Sequence, residues 1–258
     1  MTLSTTITGP DTPGIPPVLI AHGLFGQGRN LGVIARQLAE TRRVVSVDMR
    51  NHGDSFWDDD HSYDALASDL AAVIEAEGGT ADVVGHSMGG KAAMWLALTR
   101  PELVRRLVVL DIAPVEYGHT QSKLIDAMEE TDFSSARTRS QADAALSARI
   151  EDHGVRAFLL QSLDLKSDPP RWRMNLGALR DQMASLTGFP DHDGPHFDGE
   201  TLVLAGGDSD YVDHAGEAAF RALFPRATIE VVADTGHWLH ADQPEAFVSA
   251  VRTFLTAD

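Results

Sequence analysis

Short, uninterrupted apolar runs alternate with stretches of helical period along most of this chain. Residues 17–23 (PVLIAHG) and 43–49 (RVVSVDM) read as buried strands, and 30–40 (NLGVIARQLAE) and 63–79 (YDALASDLAAVIEAEGG) read as helices, the second ending in glycine. The runs ADVVGHS and RRLVVLD predict two more strands flanking a helix. Towards the C-terminus ETLVLAGGD and ATIEVVAD predict another pair with a helix between them, before a last helix at 243–255. Strands alternating with helices in this manner predict an α/β fold, a mostly parallel sheet flanked by helices on both faces.

The rhythm stops between Asp111 and Thr201. Residues 116–198 carry the helical stretches HTQSKLIDAMEE, SQADAALSARI, GVRAFLLQSL and RWRMNLGALRDQMASL, separated by Asp, Pro and Gly, with no strand predicted among them. A helical block spliced between two sheet strands is expected to lie over the C-terminal edge of the sheet, where open α/β folds bind ligands. The expected organisation is a core of residues 1–115 and 199–258 with a helical cap, or lid, at 116–198. An independent helical domain is the alternative.

Composition narrows the function. A chain of 258 residues with 43% apolar content is globular, and 21 Lys and Arg against 38 Asp and Glu give a formal charge of −17, which repels nucleic acids and anionic membranes. The first residues carry neither a basic nor an apolar leader segment, and no apolar run reaches membrane-spanning length, so a soluble, cytoplasmic protein is expected. The absence of cysteine excludes disulfides, a cysteine nucleophile and thiolate metal sites. No phosphate-binding or dinucleotide fingerprint occurs, and DDDH at 58–61 reads as a solvated acidic loop, so neither metal nor cofactor is expected.

Candidate chemistry centres on VVGHSMGGKAAMWLAL, residues 83–98. There Gly-x-Ser-x-Gly follows a strand and opens a helix, the setting of a nucleophile elbow, in which a tight turn lifts the Ser87 hydroxyl above the sheet edge. The Met88 N–H then lies at a helix N-terminus, suited to developing negative charge, and Leu24 in HGLFG is the candidate for a second oxyanion donor. A serine nucleophile needs a base. His237 in ADTGHWLHADQP follows the last strand and comes late in the chain, as this order of residues requires. His240 is expected to make a local hydrogen bond, His86 to turn into the fold, and His22, His52 and His61 to pack in loops. Three carboxylates compete to orient the base: Asp111 at the end of RRLVVLD, Asp210 in GGDSDYV, and Asp208, which suits a turn or cap.

The segments AHGLFG, GHSMGGKAAMWLAL, LDIAPVEY, GGDSDYV and GHWLHAD resemble alpha/beta-hydrolase esterases of the bacterial YbfF type, over most of the core and less so in the cap. The resemblance implies an esterase or thioesterase with Ser87 as nucleophile, His237 as base and Asp111 as acid. The family's counterpart of GGDSDYV often reads Gly-Gly-Asn-Ser-Pro, and this chain departs from it with Asp208 and Asp210, which keeps Asp210 as the alternative acid. The expected reaction is acyl transfer from short to medium carboxylic esters to Ser87 and then to water. A histidine base works as neutral imidazole, and imidazoles titrate at about pH 6.5, so activity is expected to rise through that region. Acyl-CoA thioester hydrolysis and carbon–carbon bond hydrolysis use the same serine, and a non-catalytic small-molecule receptor on the same scaffold is the alternative of another class. Leu124, Met128, Phe158, Leu159, Trp172, Met174, Met183 and Trp238 are candidates for the acyl pocket. Oligomeric state has no signature in the sequence.

Overall fold

The structure, a computed structural model, describes residues 1–256. The chain opens with strands β1 (Ser4–Thr8) and β2 (Val18–Ala21). A 3-10 turn then leads into helix α1 (Gly32–Leu38), followed by β3 (Val44–Asp48), α2 (Tyr63–Ala76), β4 (Ala81–His86), α3 (Met88–Thr99) and β5 (Val104–Leu110). The long insertion follows: α4 (Ser122–Glu130), α5 (Arg139–Leu146), α6 (His153–Leu160), a ribbon of β6 (Leu163–Asp164) and β7 (Arg171–Trp172), then α7 (Leu176–Asp181) and α8 (Met183–Thr187). The alternation resumes with β8 (Glu200–Gly206), α9 (His214–Leu223), β9 (Ala227–Val232), the short α10 (Leu239–Asp242) and α11 (Pro244–Thr256).

Seven strands form one sheet in the order β1-β3-β2-β4-β5-β8-β9, parallel except for β1. Successive residues of each inner strand point to opposite faces, and both faces are buried. Val18, Ile20, Val84, Val108, Leu110, Leu202 and Leu204 pack against Ile34 and Leu38 of α1 and Phe247 and Val251 of α11. Their neighbours Leu19, Val83, Leu107, Val109 and Val203 pack the other way, against Leu66 and Leu70 of α2, Ala92 and Leu96 of α3 and Phe220 of α9. That double burial is why these strands read as continuous apolar runs.

Two elements depart from the sequence expectation. Strand β1 is almost wholly exposed, so it carries no apolar alternation, and only its antiparallel register, Ser4 opposite Asp48 through Thr8 opposite Val44, makes it a strand. The β6–β7 ribbon occupies residues expected to be helical or connecting: Leu163 pairs with Trp172 and Asp164 with Arg171. At the N-terminal edge of the sheet the buried Asp82 is held by Arg42 at 2.7 Å and by both arms of Arg105. The opposite, C-terminal edge carries the loops described next. Among the described residues no helix is long and apolar enough to cross a membrane.

Candidate active site

Ser87 stands alone between β4 and α3 with φ 52° and ψ −119°, a left-handed conformation costly for a residue with a Cβ. The turn is possible because its flanks are glycines. A Cβ on Gly85 would meet the Gly89 carbonyl oxygen at 2.4 Å, and one on Gly89 would meet the His22 carbonyl at 2.5 Å. The Ser87 N–H donates to Leu110 O at 3.0 Å and its carbonyl accepts from Lys91, the first link of α3. Met88 opens that helix, and among the described residues no backbone or side-chain acceptor takes its N–H.

Asp111 directly follows β5, wholly buried and also at positive φ (47°). Its Oδ1 accepts from the Gly206 N–H at 2.8 Å, and its Oδ2 accepts from Ser209 Oγ at 2.5 Å and from His237 Nδ1 at 2.8 Å. Because Nδ1 donates to a carboxylate, the neutral His237 ring keeps its lone pair on Nε2. The Tyr211 ring stacks on this imidazole, centroids 4.2 Å apart and 30° between planes, and His86 Nε2 donates to the His237 carbonyl at 2.9 Å.

The loop after β2 is built on buried imidazoles. The Phe25 N–H donates to His52 Nε2 at 3.1 Å, and the Met49 N–H donates to His22 Nε2 at 2.9 Å. Each of these rings spends its Nδ1–H on a backbone carbonyl, His22 on Gly23 and His52 on Arg50. Protonating either would set an N–H against an N–H. Burial adds to this, and it holds His22 down at about 4 and His52 at about 3. The Leu24 N–H, like that of Met88, has no acceptor among the described residues.

A cavity of about 250 Å³ joins these parts. Leu24, Ser87, Met88 and His237 lie on its wall, and the remainder is largely apolar, contributed by both the sheet-edge loops and the insertion. Residues 18–250 match the model of a family described as the alpha/beta hydrolase family. The chain belongs to the alpha/beta hydrolase family. It is 40% identical over 250 residues to the sn-1-specific diacylglycerol lipase ABHD11 of Mus musculus, covering 93% of this chain and 81% of that protein. It is 38% identical over 241 residues to the esterase YbfF of Escherichia coli K12, covering 93% and 92% respectively. Among solved structures, one titled "Marine microorganism esterase" superposes with a TM-score of 0.92 at 33% identity, over 98% of this chain and 99% of that one. With an esterase and a lipase aligned along nearly its whole length, this alpha/beta hydrolase is an enzyme of the carboxylesterase type.

Not every candidate from the sequence reaches the cavity of this alpha/beta hydrolase. Leu124, Phe158, Leu159, Met183 and Trp238 line it. Met128, Trp172 and Met174 do not. Met128 is buried in the packing of the insertion and its carbonyl accepts from Trp172 Nε1 at 3.0 Å, while the Trp172 ring packs edge-on against Phe133. Asp208 and Asp210 are exposed, and neither carboxylate contacts His237. His240 lacks the local hydrogen bond expected of it: its buried Nδ1 has no hydrogen-bond partner among the described residues, and burial, then the nearby His237, depresses its pKa to about 4. His61, last of the DDDH stretch, is turned inward, with its Nε2 3.3 Å from the Met88 sulfur.

Lys91, Tyr63 and Tyr211 are among the wall residues that the sequence pattern does not mark. Lys91 lies one helical turn after Ser87 and therefore on the same side of α3. Its Nζ donates to the carbonyls of Val115, Thr187 and Gly188 at 2.8, 3.0 and 2.5 Å, joining core to insertion, and burial brings its pKa down to about 7. Ser209 and Tyr211 sit in the GGDSDYV stretch, interleaved with the carboxylates Asp208 and Asp210.

Proposed function

We propose that this enzyme hydrolyses carboxylic esters of short to medium acyl chains by two-step acyl transfer through Ser87, His237 and Asp111. The observation that carries the reading is the hydrogen bond from His237 Nδ1 to Oδ2 of the buried Asp111, with His237 on the cavity wall that also holds the serine elbow. In the first step His237 Nε2 takes the Ser87 proton while Oγ adds to the ester carbonyl. The carbonyl π pair moves to oxygen, where the Leu24 and Met88 N–H groups receive the oxyanion; loss of one such donor typically costs about 100- to 1,000-fold in rate. As the tetrahedral adduct collapses, the imidazolium returns its proton to the leaving alkoxide and an acyl-serine remains. Water, deprotonated by the same nitrogen, then releases the acid and restores Ser87.

Size and polarity of the cavity support the substrate class. Ligand cavities commonly run from about 300 to 1,000 Å³, and 250 Å³ with apolar walls suits a short or medium acyl group. The net charge of −17 disfavours polyanionic thioesters such as acyl-CoA, while small neutral thioesters are open to the same chemistry. Initial rates on p-nitrophenyl esters from acetate to palmitate, with acyl-CoA alongside, test this. The expected kcat/KM peaks at short or medium chains and falls at palmitate; acyl-CoA turnover above every simple ester, or a maximum at palmitate, contradicts it.

A further inference from the structure

Phe25 is an aromatic residue held at φ 65° inside a turn closed by the Gly26 N–H on the Gly23 carbonyl at 3.0 Å. It is the third residue of that turn, a place glycine takes when φ is positive, so an unrestrained chain relaxes by rotating the Leu24–Phe25 peptide. Such a rotation rearranges the turn that carries the Leu24 N–H. Both polar groups of Phe25 are restrained by side chains from elsewhere: its N–H by His52, and its carbonyl by Ser162 Oγ at 3.0 Å.

Ser162 belongs to the insertion, just past α6, and is 1% exposed. The direction of its proton is fixed by its neighbours. A carbonyl can only accept, so the hydroxyl donates to Phe25 O and must accept from Gln27 Nε2 at 2.8 Å. Gln27 in turn is oriented by its second acceptor, the Gln161 carbonyl at 3.4 Å, which cannot donate back. Ser162 is itself held through its backbone, its N–H on Leu159 O and its carbonyl on the Arg173 N–H. Asn30 Nδ2 adds a further tie to Gln161 Oε1 at 2.9 Å.

We propose that Ser162 is a positioning residue: its hydroxyl locks Phe25 in the left-handed state, so that the insertion sets the aim of the Leu24 N–H. The proposal rests on the acyl-enzyme reading above, in which that N–H receives the oxyanion. It makes the helical insertion part of the oxyanion machinery as well as a wall of the cavity, because seating the insertion and aiming the donor are one event.

The test uses the full-length enzyme with p-nitrophenyl butyrate, and n-butylboronic acid as a tetrahedral mimic. Ser162→Ala is expected to lower kcat about 10-fold, less than deletion of a donor because the N–H is misaimed rather than removed. KM should stay within about twofold, and the boronate Ki should rise by the factor that kcat/KM falls, since only the tetrahedral state feels the donor. Gln27→Glu is the second variant. It keeps the volume, but its carboxylate can only accept and claims the Ser162 proton from Phe25, giving the same pattern. Melting temperatures confirm that each variant is folded. If both variants keep kcat within about twofold while Ser87→Ala is inactive, the proposal is overturned and the acyl-enzyme reading stands; an effect confined to KM also overturns it. If Ser87→Ala remains active, the reading beneath it fails instead.

Discussion

The Asp111 carboxylate has no solvent to share its charge with, and its three hydrogen bonds all come from the C-terminal edge of the sheet. In the proposed mechanism it fixes the His237 tautomer and stabilises the imidazolium formed when Ser87 loses its proton. Asp111→Asn keeps the shape but presents an amide to Nδ1, which favours the wrong tautomer; kcat is expected to fall by up to roughly 10⁴. Asp210→Asn, at an exposed carboxylate with no contact to the imidazole, is expected to change kcat little. Steady-state kinetics of both purified variants on one ester, with circular dichroism to verify folding, decides between them. An inactive Asp210→Asn beside an active Asp111→Asn transfers the acid role to Asp210. Sequence alone left this choice to resemblance, because both aspartates follow parallel strands and reach the same edge; what separates them is burial, which has no local signature in LDIAPV or GGDSDYV.

At the scale of elements, legibility followed the source of each element's stability. Strands β2, β4, β5 and β8 were readable because both of their faces are buried, and the elbow because Gly85, Ser87 and Gly89 satisfy a steric demand written in one short stretch. Strand β1 and the β6–β7 ribbon were not, since they exist through pairing and not through their own pattern: β1 depends on β3, far along the chain, and the ribbon's two-residue strands are too short to show an alternation. Lys91 was hidden in an otherwise apolar helix. Its ammonium is tolerated there only because three carbonyls converge on it, that of Val115 just before the insertion and those of Thr187 and Gly188 within it. Ser162 lies 137 positions from the carbonyl it holds, and nothing adjacent to it in sequence foretells that contact. The insertion, legible as helices, is thus opaque as a set of ties to the core.

For the whole molecule, buried imidazoles set the response to acid. His22 is held at about 4 and His52 at about 3 by burial, and His86 is depressed in the same way, while unfolded histidine titrates near 6.5. Between pH 6.5 and about 4 the unfolded chain therefore binds more protons than the native one, so stability rises with pH across that window and is lost as pH falls through it. Each such histidine contributes a slope of up to about 1.4 kcal/mol per pH unit. Urea midpoints measured from pH 7.5 to 4.5 are expected to drop steadily below pH 6.5. Midpoints that hold level or rise between pH 6.5 and 4.5 contradict the neutral, donor-accepting rings that support the loop after β2.

The fold brings loops from β2, β4, β5, β8 and β9 to one edge, and all of them serve the proposed chemistry of a single hydroxyl. Covalent trapping tests that role most directly. Wild-type and Ser87→Ala proteins are treated with an alkyl fluorophosphonate, digested and mapped by mass spectrometry, with p-nitrophenyl butyrate hydrolysis followed on the same samples. The expected result is one phosphonyl group on Ser87 of the wild type with activity lost in proportion, and neither adduct nor hydrolysis in Ser87→Ala. An adduct on a different residue, or a Ser87→Ala protein that still hydrolyses the ester, would contradict the assignment of Ser87 as the nucleophile.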